Sequence, residues 1–507
     1  MIAGPLFLIG LPLALAPVVY LLRRWRLLAA SLASATALIV ASLCLGLPLD
    51  RPVSVLGWEV ALGEPMMVLG REFALGLAGG FTLGFICLVA TIAFLFAWRI
   101  SLGDLFFPLG LIILSLLGAA VMIRHFLFAV LFLWVLSIIA VFIIQGDRQD
   151  PSLRRVSKAA SGQATGPFDR RCPELAEGLR TSLRAGPGRG TLRYLVMVSL
   201  AVPLLLVTPW LIELQALNPD NLALLRYAAV LLTMGFAILL AVVPFHGWVS
   251  AVAADAPPVA AAFVLTATNA VVLLLMLNLL QSYSWLSENP QVFWLLRLGG
   301  FLMAAVGGLL AFAQRDFGRL LGYAVLSDMG CTLVALSIAS PAALTAALLQ
   351  VAHRSVGLML TAMGLAVMRH RAGSDSFANP STGSGHRLAG VARRLPLSTA
   401  GLVLGGLSLA GMPLTAGFPS RWAIYRLLSA PNLPLAMLLS GAGVALGYLR
   451  GLSTLLGPST EPKVKREPFV ASLIILGMII LCLWLGLRPQ WLLPFVQRVA
   501  ESFSFLR

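Results

Sequence analysis

Five polar residues lie in or beside long apolar stretches of this 507-residue chain, where such side chains are costly: His246, Asp328, His353, Arg354 and Arg421. Ionisable groups at membrane depth pair, change protonation or face water, so each is a candidate for ion or proton work. His246 follows Pro244 at the inner end of an apolar segment. It could relay protons, because imidazole titrates near neutrality, or cap a helix end. Asp328 lies well inside a span, where a carboxylate needs a partner or a proton; it is either functional or a satisfied structural group. His353 and Arg354 are adjacent in ALLQVAHRSVGLML. Two neighbouring basic groups near mid-span are the strongest physical pointer to a polar interior path. Arg421 lies in or just after the Gly- and Pro-interrupted stretch LSLAGMPLTAGFPSRWAIY, which contains Pro413. Arginine stays charged, so it can hold an anion or a water chain but does not readily exchange a proton.

The densest of these stretches is 235–269, GFAILLAVVPFHGWVSAVAADAPPVAAAFVLTATN. It places Pro244, His246, Trp248, Asp255, Pro257 and Pro258 between two apolar segments, the pattern of a broken region where transporters often keep their working parts. Asp255 is expected to cap the eighth span from its N-terminus. Gln314, Arg315, Asp316 and Arg319 form a polar knot at the inner interface. Asp316 and Arg319 are three apart and can pair on a shared helix. No Ser-His-Asp, Cys-His or paired-carboxylate arrangement emerges, so an independent enzyme active site is unsupported. The scattered cysteines Cys44, Cys87, Cys172, Cys331 and Cys482 include no CxxC pair. No metal and no cofactor are expected on this chain.

The elements that must position these residues are membrane helices. The chain is 59% hydrophobic and 11% charged, against roughly 25% charged in a soluble globular protein. Apolar runs of about 20 residues predict an all-α polytopic membrane protein. Fourteen spans are expected near 5–22, 28–48, 73–97, 104–123, 125–145, 192–214, 222–244, 257–281, 294–314, 317–339, 341–368, 394–427, 433–455 and 467–488, with breaks near spans seven to eight and in span twelve. The first is read as a span rather than a cleaved signal, since no Lys or Arg precedes Arg23. Residues 1–123 hold four spans and an outward hairpin at 49–72. Residues 124–430 form a core with inward loops 146–191 and 370–392, and 431–507 hold the last two spans and a tail.

The net charge of +16 collects in a few loops. Arg23, Arg24 and Arg26, the basic loop 146–191, the loop after span eleven, and Lys463, Lys465 and Arg466 all fall on one side of a fourteen-span bundle. The positive-inside rule then places both termini outside a cell (inner) membrane. Basic loops without a binding motif exclude nucleic acid as the partner. The lipid bilayer is the expected surround.

Four motifs occur in order: VVPFHGW followed by DAPPVAAAF at 242–263, QRDFGRLLGYAVLSDMG at 314–330, AHRSVGLMLTAMG at 352–364, and LAGMPLTAGFPSRW at 409–422. Together they resemble the antiporter-like membrane subunits of complex I (NADH:quinone oxidoreductase), a family that includes the large Mrp Na+/H+ antiporter subunits and membrane subunits of energy-converting hydrogenases. The resemblance covers roughly 100–430 and agrees with fourteen spans. It implies proton transfer along a central chain of charged residues, with other membrane subunits of a complex I-like or Mrp-like assembly as partners. The charged residues usual in the family are absent at nearly every position. The span-five Glu falls at Leu133 or Trp134, the span-seven Lys at Leu239, and the span-eight Lys at Asn269 or Ala270. The span-eleven Lys falls at Gly357 and the span-twelve position is Arg421. Losing both members of an ion pair avoids leaving one charge buried alone. The resemblance therefore implies a subunit with a degenerate or weakened proton channel. A non-transporting scaffold on the same fold and a stand-alone cation/proton antiporter are the alternatives.

Overall fold

The computed structural model describes residues 2–47, 53–55, 58–68, 70–100, 102–103, 105–146, 188–377, 388–429, 432–458 and 464–506. The helices are α1 Gly4–Leu21, α2 Arg26–Gly46, α3 Leu77–Ala97, α4 Phe106–Met122, α5 Phe126–Gln145, α6 Arg189–Leu217, α7 Leu222–Leu239, α8 Gly247–Asp255, α9 Pro258–Ser282 and α10 Ser284–Ser287. They continue as α11 Pro290–Ala313, α12 Phe317–Leu336, α13 Pro341–Ala372, α14 Pro396–Ala410, α15 Gly417–Leu427, α16 Asn432–Leu456, α17 Phe469–Leu487 and α18 Leu493–Glu501. Among the described residues twelve helical segments are long and apolar enough to cross a membrane; α4 and α14 are apolar but shorter. The protein is an all-α multi-pass membrane protein. The expectation of fourteen spans rests on counting the two shorter helices as well. Most of loop 146–191, with its Cys172, the stretch 378–387 of loop 370–392, and Lys463 lie outside the described residues.

Three helices form the centre. Every position in the most apolar window of α9 is buried, and α12 and α13 are nearly as enclosed. Around them α7, α11 and α16 turn large apolar side chains outward: Val230, Leu309 and Leu439 are all more than half exposed. Such surfaces are stable only in hydrocarbon. Small residues let the inner helices approach closely. A Cβ at Gly364 on α13 would lie 2.6 Å from the Leu402 nitrogen of α14, and one at Gly405 would lie 2.6 Å from the Thr361 nitrogen. Gly364→Leu therefore forces the two helices apart. We expect a loss of about 1–3 kcal/mol, the usual cost of overpacking, read as a lower melting temperature of the detergent-purified protein.

Two spans are broken in the middle. Helix α7 stops at Leu239 and resumes as α8; α14 stops at Ala410 and resumes as α15. Span seven was expected to end at 244, but the chain continues in the same span to Asp255. The reason the extension is hard to see is local: 247–255 makes only nine helical residues, fewer than an independent periodic signal needs.

The segment expected as one hairpin forms two pairs of short strands. β2 Val53–Val55 runs antiparallel to β3 Trp58–Ala61, and β1 Ile2–Ala3 joins β3 in parallel. β4 Met66–Val68 runs antiparallel to β5 Arg71–Phe73. At the other end of the chain, the tail packs back on the bundle. The Gln281 side chain donates to Ser504 Oγ (2.6 Å) and accepts from the backbone nitrogens of Ser504 and Phe505 (2.9 and 3.2 Å).

Candidate functional site

The two breaks free backbone groups that hydrocarbon cannot satisfy, so side chains must do it. In span seven Trp248, buried on α8, reaches back across the gap and donates its Nε1–H to the Ile238 carbonyl at 3.2 Å. Pro244 lies in the gap. His246 holds the N-cap position of α8, but its side chain makes no capping hydrogen bond. Its Nδ1 is buried without a partner. Two readings of His246 therefore change: it stands within span seven rather than at its inner end, and it is not a cap. In span twelve Pro413 lies between the half-helices. Ser408 Oγ accepts from the Gly417 backbone nitrogen at 3.0 Å. Arg421 takes the freed end of α14, donating from Nη1 to the Ala410 carbonyl (3.0 Å) and from Nη2 to the Leu409 carbonyl (2.6 Å).

Asp255 does cap a helix, though not the expected one. It ends α8, and its Oδ2 accepts from the Gly190 backbone nitrogen at 2.7 Å, at the start of α6. The position before α9 is filled by Pro257, with Pro258 opening the helix. N-cap rules look to the next helix in sequence, whereas the needy donor here is 65 residues upstream. The terminal carbonyls of α8 are met by Arg369, which donates to Ala256 (2.9 Å) and Ala254 (3.0 Å).

The expected pairing of Asp316 with Arg319 is also a cap. Asp316 Oδ1 accepts from the Arg319 backbone nitrogen at 3.0 Å and opens α12. The knot around it is closed by the segment after α13. Phe317 N donates to the Asp375 carbonyl (3.0 Å), Phe377 N to the Arg315 carbonyl (2.8 Å), and Arg369 Nε to Asp375 Oδ2 (2.7 Å). Burial first, then the nearby Asp375 carboxylate, pushes the Asp316 carboxyl above its ordinary range. Residues 373–377, part of the inward loop 370–392, are pinned by these bonds to the start of α12.

Three of the five opening residues converge between α12, α13 and α15. Asp328 sits between two guanidiniums: Arg421 Nη2 lies 3.1 Å from Oδ1, and Arg354 Nη1 lies 3.6 Å from Oδ2. Both carboxylate and Arg421 are 1% exposed, and Arg354 is 6% exposed. Gln350 Nε2 also donates to Asp328 Oδ1. Arg354 Nη1 donates to Thr332 Oγ1 at 3.3 Å, one helical turn past Asp328. His353 points the other way, its Nδ1 3.0 Å from Ser420 Oγ beside Arg421. Asn269, on α9, adjoins the cluster through Met329: its Nδ2 lies 3.3 Å from Met329 Sδ. None of the hydrogen bonds found links His246 to this group.

Chemically the arrangement is a charge knot more than a relay. Two arginines and one carboxylate leave one net positive charge in the interior, and arginine keeps its proton. His353 lies outside this ion-paired group, beside Arg421 through Ser420. Sequence reasoning missed Gln350, Thr332 and Ser420. Gln350 carried a signal, since it lies one turn before Arg354 on the same face of an apolar helix.

Of the positions where the resemblance leads one to look for charge, Arg421 alone is charged, and Leu133, Leu239 and Asn269 are buried. Trp134 faces partly outward with Nε1 3.4 Å from Ser199 Oγ. Leu133 is thus the inward position of the two. A Cβ at Gly357 would lie 3.2 Å from both the Gly405 carbonyl and Ser408 Cβ, so α14 occupies the space a long side chain would need. Of the three lysines of the chain, Lys158 and Lys463 lie outside the described residues, and Lys465 lies outside the membrane-spanning helices.

A family model described as NADH:quinone oxidoreductase/Mrp antiporter, TM, matches residues 196–447. The NADH-quinone oxidoreductase subunit N of Chromohalobacter salexigens is 34% identical over 284 residues, 53% of this chain and 56% of that protein. The subunit N of Cereibacter sphaeroides is 32% identical over 276 residues, 54% and 58% of the two chains. Formate hydrogenlyase subunit 3 of Escherichia coli is 27% identical over 291 residues, 52% and 46%. The aligned region spans about half the length of these relatives. Among solved structures, a chain of the Mrp complex from Dietzia sp. superposes with a TM-score of 0.78 at 16% identity, covering 99% of this chain and 97% of that one. A chain of respiratory complex I from Thermus thermophilus with bound NADH gives 0.71 at 20% identity, covering 99% of each. At such identities these two likenesses are statements about the fold.

Proposed function

We propose, on the premise that this chain belongs to the NADH:quinone oxidoreductase/Mrp antiporter family through residues 196–447, that it is a membrane-arm subunit of a complex I-like or Mrp-type assembly whose own proton channel no longer conducts. One observation carries the reading. The buried charges at the centre of the core, Asp328, Arg354 and Arg421, are bound to one another, and no lysine stands in any described span. A relay must alternate between protonation states at neutral pH, and arginine does not. Electron transfer and quinone chemistry then belong to partner subunits. The subunit's contribution is to occupy a place in the membrane arm and hold its neighbours. Arginine-rich connections at 23–26 and 387–394 support an orientation with both termini on the outer side of the cell membrane.

The test is direct. The full chain, purified and reconstituted into liposomes with a trapped pH-sensitive dye, is given a pH gradient and a membrane potential. Proton flux at the level of protein-free liposomes is expected. Flux well above that level, lost on Arg421→Met or His353→Ala, overturns the proposal and restores the antiporter reading.

A further inference from the structure

A cavity of about 250 Å³ lies between α7, α9 and α11. It sits at the end of the bundle that carries the α9–α11 connection, since Leu280 of the last turn of α9 and Leu296 of the second turn of α11 both line it. Its floor is the span-seven break, at Leu240, Val242 and Val243. The lining side chains are apolar except for Thr233, and none is charged. Gly299 leaves it open, because a Cβ there would already stand 3.0 Å from Val242 Cγ1. The flanking helices face lipid: Met234 on α7 and Leu298 and Leu302 on α11 are exposed, whereas α9 behind the cavity is buried over the whole of its most apolar window.

Water has no reason to fill such a space. A smaller apolar cavity, of about 150 Å³, stays dry in a soluble protein and takes up benzene. Here the surrounding solvent is itself hydrocarbon. We propose that this crevice binds one acyl chain of a membrane phospholipid, which enters between α7 and α11 and ends against Val242 and Val243. Burying the tail there places hydrocarbon beside the one stretch of span seven whose backbone is not helical.

A photo-reactive phosphatidylcholine, with a diazirine in the middle of one chain, tests this on the full-length protein in bilayers. After illumination, digestion and mass mapping, adducts are expected on the buried cavity residues Phe236, Met276 and Leu280, alongside adducts on the lipid-facing Leu309 and Leu439. Gly299→Leu fills the crevice and should remove the buried adducts while leaving those on Leu309 and Leu439. Ala237→Leu, which fills it from α7, serves the same purpose where Gly299→Leu does not fold. Adducts confined to exposed residues overturn the proposal, as do buried adducts unchanged by either filling variant.

Discussion

Asp328→Asn is expected to cost about 3–5 kcal/mol, the loss seen when one partner of a buried ion pair is removed. Two guanidiniums, from Arg354 and Arg421, would remain in a region where all three groups are 6% exposed or less. Neither can shed its proton to escape. The amide that replaces the carboxylate can still accept from Gln350 and Arg421, so the loss is one of charge and not of shape. Arg354→Met should cost less, because Asp328 and Arg421 are then left as a neutral pair. Adding Arg354→Met to Asp328→Asn should recover part of the loss, since it removes one of the two stranded charges. Melting temperature and the yield of monodisperse protein in detergent report all three variants. If Asp328→Asn melts with the wild type, the carboxylate does not hold the cluster together.

The same cluster separates what the sequence could disclose from what it could not. Each of Asp328, Arg354 and Arg421 is visible alone, because a charge inside an apolar run is anomalous wherever it occurs. Their union is not visible. Asp328 and Arg421 are 93 residues apart, and only packing of α12, α13 and α15 brings them together. The breaks follow the same logic. Pro244, Pro413 and the glycines around them announce that the helices stop. They do not announce that Trp248 and Arg421 will take the freed carbonyls. Asp255 shows the error that follows from reasoning along the chain only. Its type identified a cap, and its sequence position pointed to the wrong helix.

Arg421 carries two duties that explain why a permanent cation suits it. It closes the C-terminal end of the half-helix α14, where carbonyls at Leu409 and Ala410 concentrate negative potential. It also balances Asp328. A lysine offers three donors from one point, but the planar guanidinium reaches the carbonyls from Nη1 and Nη2 while Nε and Nη2 face the carboxylate. A residue committed through four hydrogen bonds to three acceptors in two helices is poorly placed to swing or to trade a proton. This favours a structural assignment for the span-twelve charge.

Restoring a single charge to the interior should therefore be harmful and should not create a pathway. Leu239→Lys places an ammonium at a site that is 2% exposed and faces apolar neighbours. The insertion cost of a lysine at the centre of a helix is about 2.5–3.5 kcal/mol, and the partner position in span five is Leu133, also fully buried. Leu133→Glu alone should be costly for the same reason. If the family pair was lost in concert, the double variant should melt above the sum of the two single losses, with a coupling of about 0.5–3 kcal/mol. Proton flux in liposomes should stay at background for each single variant, because Gly357 and Asn269 still interrupt the axis. A Leu239→Lys protein as stable as the wild type would mean that the span-seven break is already wet. Leu239 would then be a silent gap in a working channel, and the core would not be closed.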